Sequence, residues 1–122
     1  LVTHERDEAM RLGDDLAVLM GGRLRAHGPK GAVFRSPPDA EVAAFLGYTI
    51  LGTTAIRPGA LRTGAGDLEL RLRVEGVSDA GTHFEVWGHA GETLVRAIAA
   101  GELPVVGDET TVSAERSAVV QF

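Results

Sequence analysis

Leu68-Glu69-Leu70-Arg71-Leu72-Arg73-Val74-Glu75 alternates four apolar with four charged residues without a break. Side chains on a strand point to opposite faces in turn, so this octapeptide predicts a strand with one buried and one wet face. The same reading extends downstream. Over 82–88, Phe84 and Val86 point one way and His83, Glu85 and Trp87 the other, which places Phe84 and Val86 in the core. Further runs cover 93–99, 110–114 and 117–122, the last with Ala118, Val120 and Phe122 on one side. Asp67, Asp79-Ala80-Gly81, Ala90-Gly91 and Gly107-Asp108 punctuate them as turns. About five short strands at this spacing predict a small barrel of the OB type or a compact sandwich.

Upstream the text is different. Asp15 to Met20 reads as a strand, Gly21-Gly22 as a tight turn, and Arg23 to Ala26 as the returning strand. Gly28-Pro29 ends it. Two short helices are predicted next, over Lys30 to Phe34 and, after Ser36-Pro37, over Pro38 to Leu46. Val42, Ala43, Phe45 and Leu46 form the apolar side of the second. Before the hairpin, Glu5, Asp7 and Glu8 suit a first helical turn capped by Thr3 or His4, with Gly13 as its stop. Leu1-Val2-Thr3-His4 reads as the end of a strand, and a stub that short cannot form a sheet alone. Strands upstream of Leu1, with this chain a fragment, are therefore expected. The fold class predicted is α+β, with a first part over 1–48 and a second, β-rich part over 49–122.

Composition narrows the function classes. The chain has 122 residues and no cysteine, which removes disulfides, thiol catalysis and zinc-thiolate sites. Its net charge is −5, and the second part carries most of the acidic excess, with ten acidic against six basic residues. A nucleic-acid partner is not expected on that balance. Lys30 is the one lysine, and it stands between Pro29 and Gly31. A phosphate-cradling loop needs its lysine after a glycine and before Ser or Thr, so this sequence holds none.

Leu1-Val2-Thr3-His4-Glu5-Arg6-Asp7-Glu8-Ala9 resembles the switch-histidine loop of ABC transporter ATPase subunits. Asp15 to Leu24, with its Met20-Gly21-Gly22-Arg23 turn, resembles the hairpin that ends their catalytic core. His27-Gly28-Pro29, Val33-Phe34, Pro37 and Val42-Ala43-Ala44-Phe45-Leu46-Gly47 resemble the closing helices of the importer type. The later stretch is similar to the accessory TOBE domain of such subunits, through Ala55-Ile56-Arg57-Pro58, Leu61-Arg62 and Pro104-Val105-Val106-Gly107-Asp108. Gly59 stands where that family usually has an acidic residue.

The resemblance implies a parent ATPase that uses ATP and Mg to drive import, with the phosphate loop, signature loop and catalytic glutamate upstream. It implies no cofactor in this fragment and no ATP turnover by it alone. It further implies a second copy of the subunit and membrane-spanning permease subunits as partners, at the cytoplasmic face of the membrane. His4 is, by the same resemblance, the switch histidine that contacts the γ-phosphate; read from the residues alone it is a helix-capping or solvent histidine. His4, Asp7 and Glu8 have metal-ligand spacing, but the helix dipole accounts for the acids and no metal site is expected. Trp87 is the candidate contact with a second copy, the plainer reading being a partly exposed strand aromatic. Arg57, Ser78 and Thr82 are the residue types an oxyanion site would draw on, which makes a molybdate-, tungstate- or sulfate-binding module the rival function.

Overall fold

A computed structural model describes residues 15–122. They form a mixed α and β structure in which strands dominate and helices are few and short. The chain divides into two compact units, one running to Ala55 and recovering Val120–Phe122, the other spanning Ile56–Val119.

The first unit opens with β1 (Asp15–Met20) and β2 (Arg23–Pro29), an antiparallel hairpin. Gly21 and Gly22 both take positive φ, 58° and 74°, which is the turn geometry whose twist matches two right-twisted strands. Glycine is needed there because other residues resist that backbone region. Helix α1 (Lys30–Arg35) follows directly, one residue longer than expected. Helix α2 (Ala40–Phe45) is shorter than expected and begins after Asp39, not at Pro38. The reason is local: the Asp39 carboxylate accepts the Val42 N–H at 2.9 Å and so caps the helix. A three-stranded sheet of order β11-β4-β3 uses β3 (Thr49–Leu51), β4 (Thr54–Ile56) and β11 (Val119–Gln121). Leu16 and Val18 of β1, Val33 of α1, and Val42, Ala43 and Leu46 on and after α2 build the core, with Tyr48 and Ala55. The Tyr48 hydroxyl is not stranded by this burial, since it donates to the Phe34 carbonyl at 2.7 Å.

The second unit is a six-stranded sheet of order β6-β10-β5-β9-β8-β7. Its strands are β5 (Arg62–Thr63), β6 (Leu68–Arg73), β7 (Gly76–Asp79), β8 (Phe84–Ala90), β9 (Thr93–Ile98) and β10 (Glu109–Ala114). All neighbours are antiparallel except β5 and β9, which meet in parallel. The alternating octapeptide supplies β6, but Val74 and Glu75 leave it before β7 begins. Their N–H groups turn to different partners, Val74 to the Asp108 carbonyl and Glu75 to the Trp87 carbonyl. Leu72, Val74, Val86, Val95, Ala97 and Val112 are buried, so the inward side of the alternation is as read. Phe84 is a correction: it is 45% exposed, not in the core. It is the first residue of β8 and pairs with Asp79, the last residue of β7, so it lies where the sheet gives out.

Candidate functional site

In the first unit the β1–β2 register carries a charged clamp. Val18 pairs with Ala26 and Leu19 with Leu24, which leaves Arg25 as the extra residue of a β-bulge. The Arg25 guanidinium donates to Asp39 at 2.6 Å and, through its other terminal nitrogen, to Glu41. One cation thus binds the cap residue and the first turn of α2, where carboxylates also favour the helix dipole. The Asp39 carboxyl is held below the usual carboxylate range, first by the Val42 N–H and then by Arg25. A carboxyl depressed by folding adds stability above its unfolded value and loses it as pH falls through its folded value. Folding of the wild-type chain should therefore weaken as pH drops below about 4. Asp39→Asn keeps a capping side chain but has no carboxyl to protonate, so its acid limb in a pH series of denaturant midpoints should be flatter.

The second unit contains a groove of about 660 Å³. Arg62, Asp67, Glu115 and Ser117 bring polar groups to it, Gly66 and Ser113 line it, and four alanines complete the wall. Arg62 and Ser113 are directly paired across β5 and β10, so their side chains share one face of the sheet. The loop between β5 and β6 is tied down beside them: the Gly66 N–H donates to Glu69 and the Arg116 N–H to Asp67, both at 3.0 Å. The groove escaped the alternation pattern because only Ser113 and Ala114 come from β10, and the rest from a turn, a two-residue strand and a 3-10 turn (Arg116–Ala118). The one sequence signal was Gly66 beside Asp67 ahead of a strand.

The expected site residues are placed elsewhere. His4 lies outside the described residues. Ser78 sits on β7, and Thr82 in the β7–β8 turn, where its hydroxyl is 3.0 Å from His83 Nδ1. Arg57 follows β4, its N–H bonded to the Ala118 carbonyl, and its buried Nε has no partner. The hydrogen bonds of these three residues do not connect them, and none lines the groove. Trp87 is half-buried on β8 opposite Gly76 of β7, where a Cβ would fall 2.2 Å from the indole. The ring therefore covers the bare backbone of its cross-strand partner. Among the described residues no group of three or more His, Asp and Glu side chains is placed to hold a metal ion. Lys30 opens α1 directly after Pro29. No helix among them is long and apolar enough to cross a membrane.

A glycine-turned hairpin, two short helices and a strand-rich unit follow one another in that order. Over 57–80% of its length the chain is similar to ATP-binding subunits of ABC importers. It is 35% identical over 69 residues to the sulfate/thiosulfate import ATP-binding protein of Rhodopseudomonas palustris, covering 57% of this chain and 20% of that one. It is 37% identical over 75 residues to the molybdate/tungstate import ATP-binding protein of Thermococcus kodakarensis, covering 62% and 23%. A longer match, 32% over 120 residues, joins it to an sn-glycerol-3-phosphate import ATP-binding protein of Rhizobium etli, covering 80% and 35%. The chain thus spans about a fifth to a third of the length of these relatives. No protein-family model matches it.

Proposed function

We propose that this chain is the C-terminal regulatory and dimerisation segment of the ATP-binding subunit of an ABC importer, coupling ATP hydrolysis in the parent protein to solute uptake. The observation that carries the reading is the match to import ATP-binding proteins across most of the chain. Residues 1–48 are then the end of the nucleotide-binding domain, and residues 49–122 a TOBE-type regulatory domain. The second unit is read as an OB-like barrel of five strands. The short link between its edge strands β6 and β7, only Val74 and Glu75, supports that reading. The parent binds ATP and Mg through residues outside this chain together with His4, meets a second copy of itself and the permease subunits, and sits at the cytoplasmic face of the membrane. Trp87 is the proposed contact with the second copy.

His4 is the proposed γ-phosphate contact of the parent. Phosphoryl transfer depends on positioning and charge stabilisation, so one lost donor is felt in turnover. In the protein that carries this sequence, His4→Ala should lower ATP turnover about a hundredfold while ATP binding persists. Unchanged turnover would remove the assignment. Sedimentation equilibrium tests the dimerisation role, which a strict monomer at high concentration would overturn.

The rival function is favoured by the names of two relatives, which transport sulfate/thiosulfate and molybdate/tungstate. It assigns Arg57, Ser78 and Thr82 to an oxyanion. A thermal shift with molybdate, tungstate or sulfate that disappears in Arg57→Gln would support it over a purely structural role.

A further inference from the structure

We propose that the groove of the second unit is a binding site for a small, neutral polyhydroxylated compound, a polyol or short saccharide, with the Ser113 hydroxyl at its floor. Three observations carry this. The first is size: about 660 Å³ lies within the range of small-molecule sites.

The second is the state of Ser113. Its residue surface is only 3% exposed, yet it lines the groove, and its hydroxyl has no partner among the hydrogen bonds of the described residues. A hydroxyl facing a groove offers one donor and two acceptor sites to whatever enters it. Gly66 keeps that hydroxyl within reach. A Cβ at position 66 would fall 2.6 Å from Ser113 Oγ and 2.9 Å from Ser113 Cβ. The Gly66 φ is not in the left-handed region, so backbone conformation does not require glycine there. Space above the hydroxyl does.

The third is the balance of charge and hydrogen-bonding groups. Arg62 donates, Asp67 and Glu115 accept, and Ser113 and Ser117 do both. One cation against two carboxylates repels a free oxyanion and leaves no net positive charge to hold one. A ligand bearing several hydroxyls satisfies all three kinds of group, since each hydroxyl donates to a carboxylate and accepts from a guanidinium. The wall is already organised, because Asp67 and Gly66 are held by their bonds to Arg116 and Glu69.

The test is a titration of the full chain with glucose, maltose and mannitol at millimolar concentration, followed by amide chemical shifts, with sulfate and molybdate as parallel arms. Low concentrations matter, because polyols in bulk stabilise proteins by exclusion from the surface. At least one polyhydroxylated probe should saturate and move the amides of Gly66, Ser113 and Ser117. Ser113→Ala, which removes one oxygen and leaves the groove open, should weaken that binding roughly tenfold. Glu115→Gln, on the exposed rim, provides a second reading without touching the core. Absence of saturable binding by all three probes overturns the proposal, as does binding indifferent to both substitutions. Saturation by sulfate or molybdate at these amides also overturns it. None of these results bears on ATP turnover in the parent, so the site and the importer assignment stand or fall separately.

Discussion

Gly88→Ala should lower the stability of the second unit by about 3 kcal/mol or more, seen as a lower denaturant midpoint. Gly88 is buried in β8, paired with Val95 of β9. A Cβ there would meet the Arg73 carbonyl oxygen at 2.2 Å and Leu72 Cδ1 at 3.0 Å. The first contact is with backbone, which cannot swing aside as a side-chain tip can. Relief requires β8 to move off the end of β6, and that movement opens the packing around Leu72 and Val74, both fully or almost fully buried. Gly31→Ala is the matching control. Its new Cβ would touch only the Arg35 guanidinium, the far end of a long side chain, at 3.2 Å, within a helix that favours alanine, so stability should hold or rise slightly. Equal effects of the two substitutions would contradict the close approach of β6 and β8.

Thr63→Val should cost about 2–4 kcal/mol through two backbone groups left without partners. Thr63 is buried on the two-residue strand β5. Its hydroxyl donates to the Ala100 carbonyl at 3.0 Å and accepts from the Ala100 N–H at 2.7 Å. Valine has nearly the same shape but supplies neither bond, so volume is held constant while polarity is removed. On the side away from β10 the strand has little else to hold it, since its parallel partner β9 meets it only through Arg62 and Ile98. Loss of the hydroxyl should also speed hydrogen exchange at the Ile98 amide, which donates to the Leu61 carbonyl at 2.8 Å. Thr63→Ser, which keeps the hydroxyl, should recover most of the stability. A valine variant as stable as the wild type would mean that Ala100 finds other partners.

Much of the local structure was legible because its causes are local. Gly21-Gly22 marked the hairpin turn through its need for positive φ, and Gly28-Pro29 marked where β2 stops. Alternation over 68–75 identified the buried face of β6, with Leu72 and Val74 inward. The helix over 38–46 was located but its start was misplaced, because capping by Asp39 is decided by which carboxylate reaches the Val42 N–H. Phe84 followed the alternation of β8 and still lies in water, because alternation tells which way a side chain points and not whether the sheet extends to cover it. The candidate site was less legible. Arg57, Ser78 and Thr82 were chosen for their chemistry, whereas the groove gathers Arg62, Gly66, Asp67, Ser113 and Glu115 from segments far apart in the chain.

The order of residues was by itself enough for the hairpin, the two short helices, the alternating strands and the kinship with importer ATP-binding subunits. Turn glycines, side-chain period and a run of matching residues all act between near neighbours or position by position. Tertiary structure alone decided that Val74 and Glu75 separate β6 from β7, that Arg25 bulges out to clamp Asp39 and Glu41, and that a buried serine lies under a glycine. Those features arise from pairings across 12 to 47 positions, as Glu75 with Trp87 and Gly66 with Ser113 illustrate. Such pairings depend on where the whole chain settles as it buries its apolar surface, and no local periodicity records that.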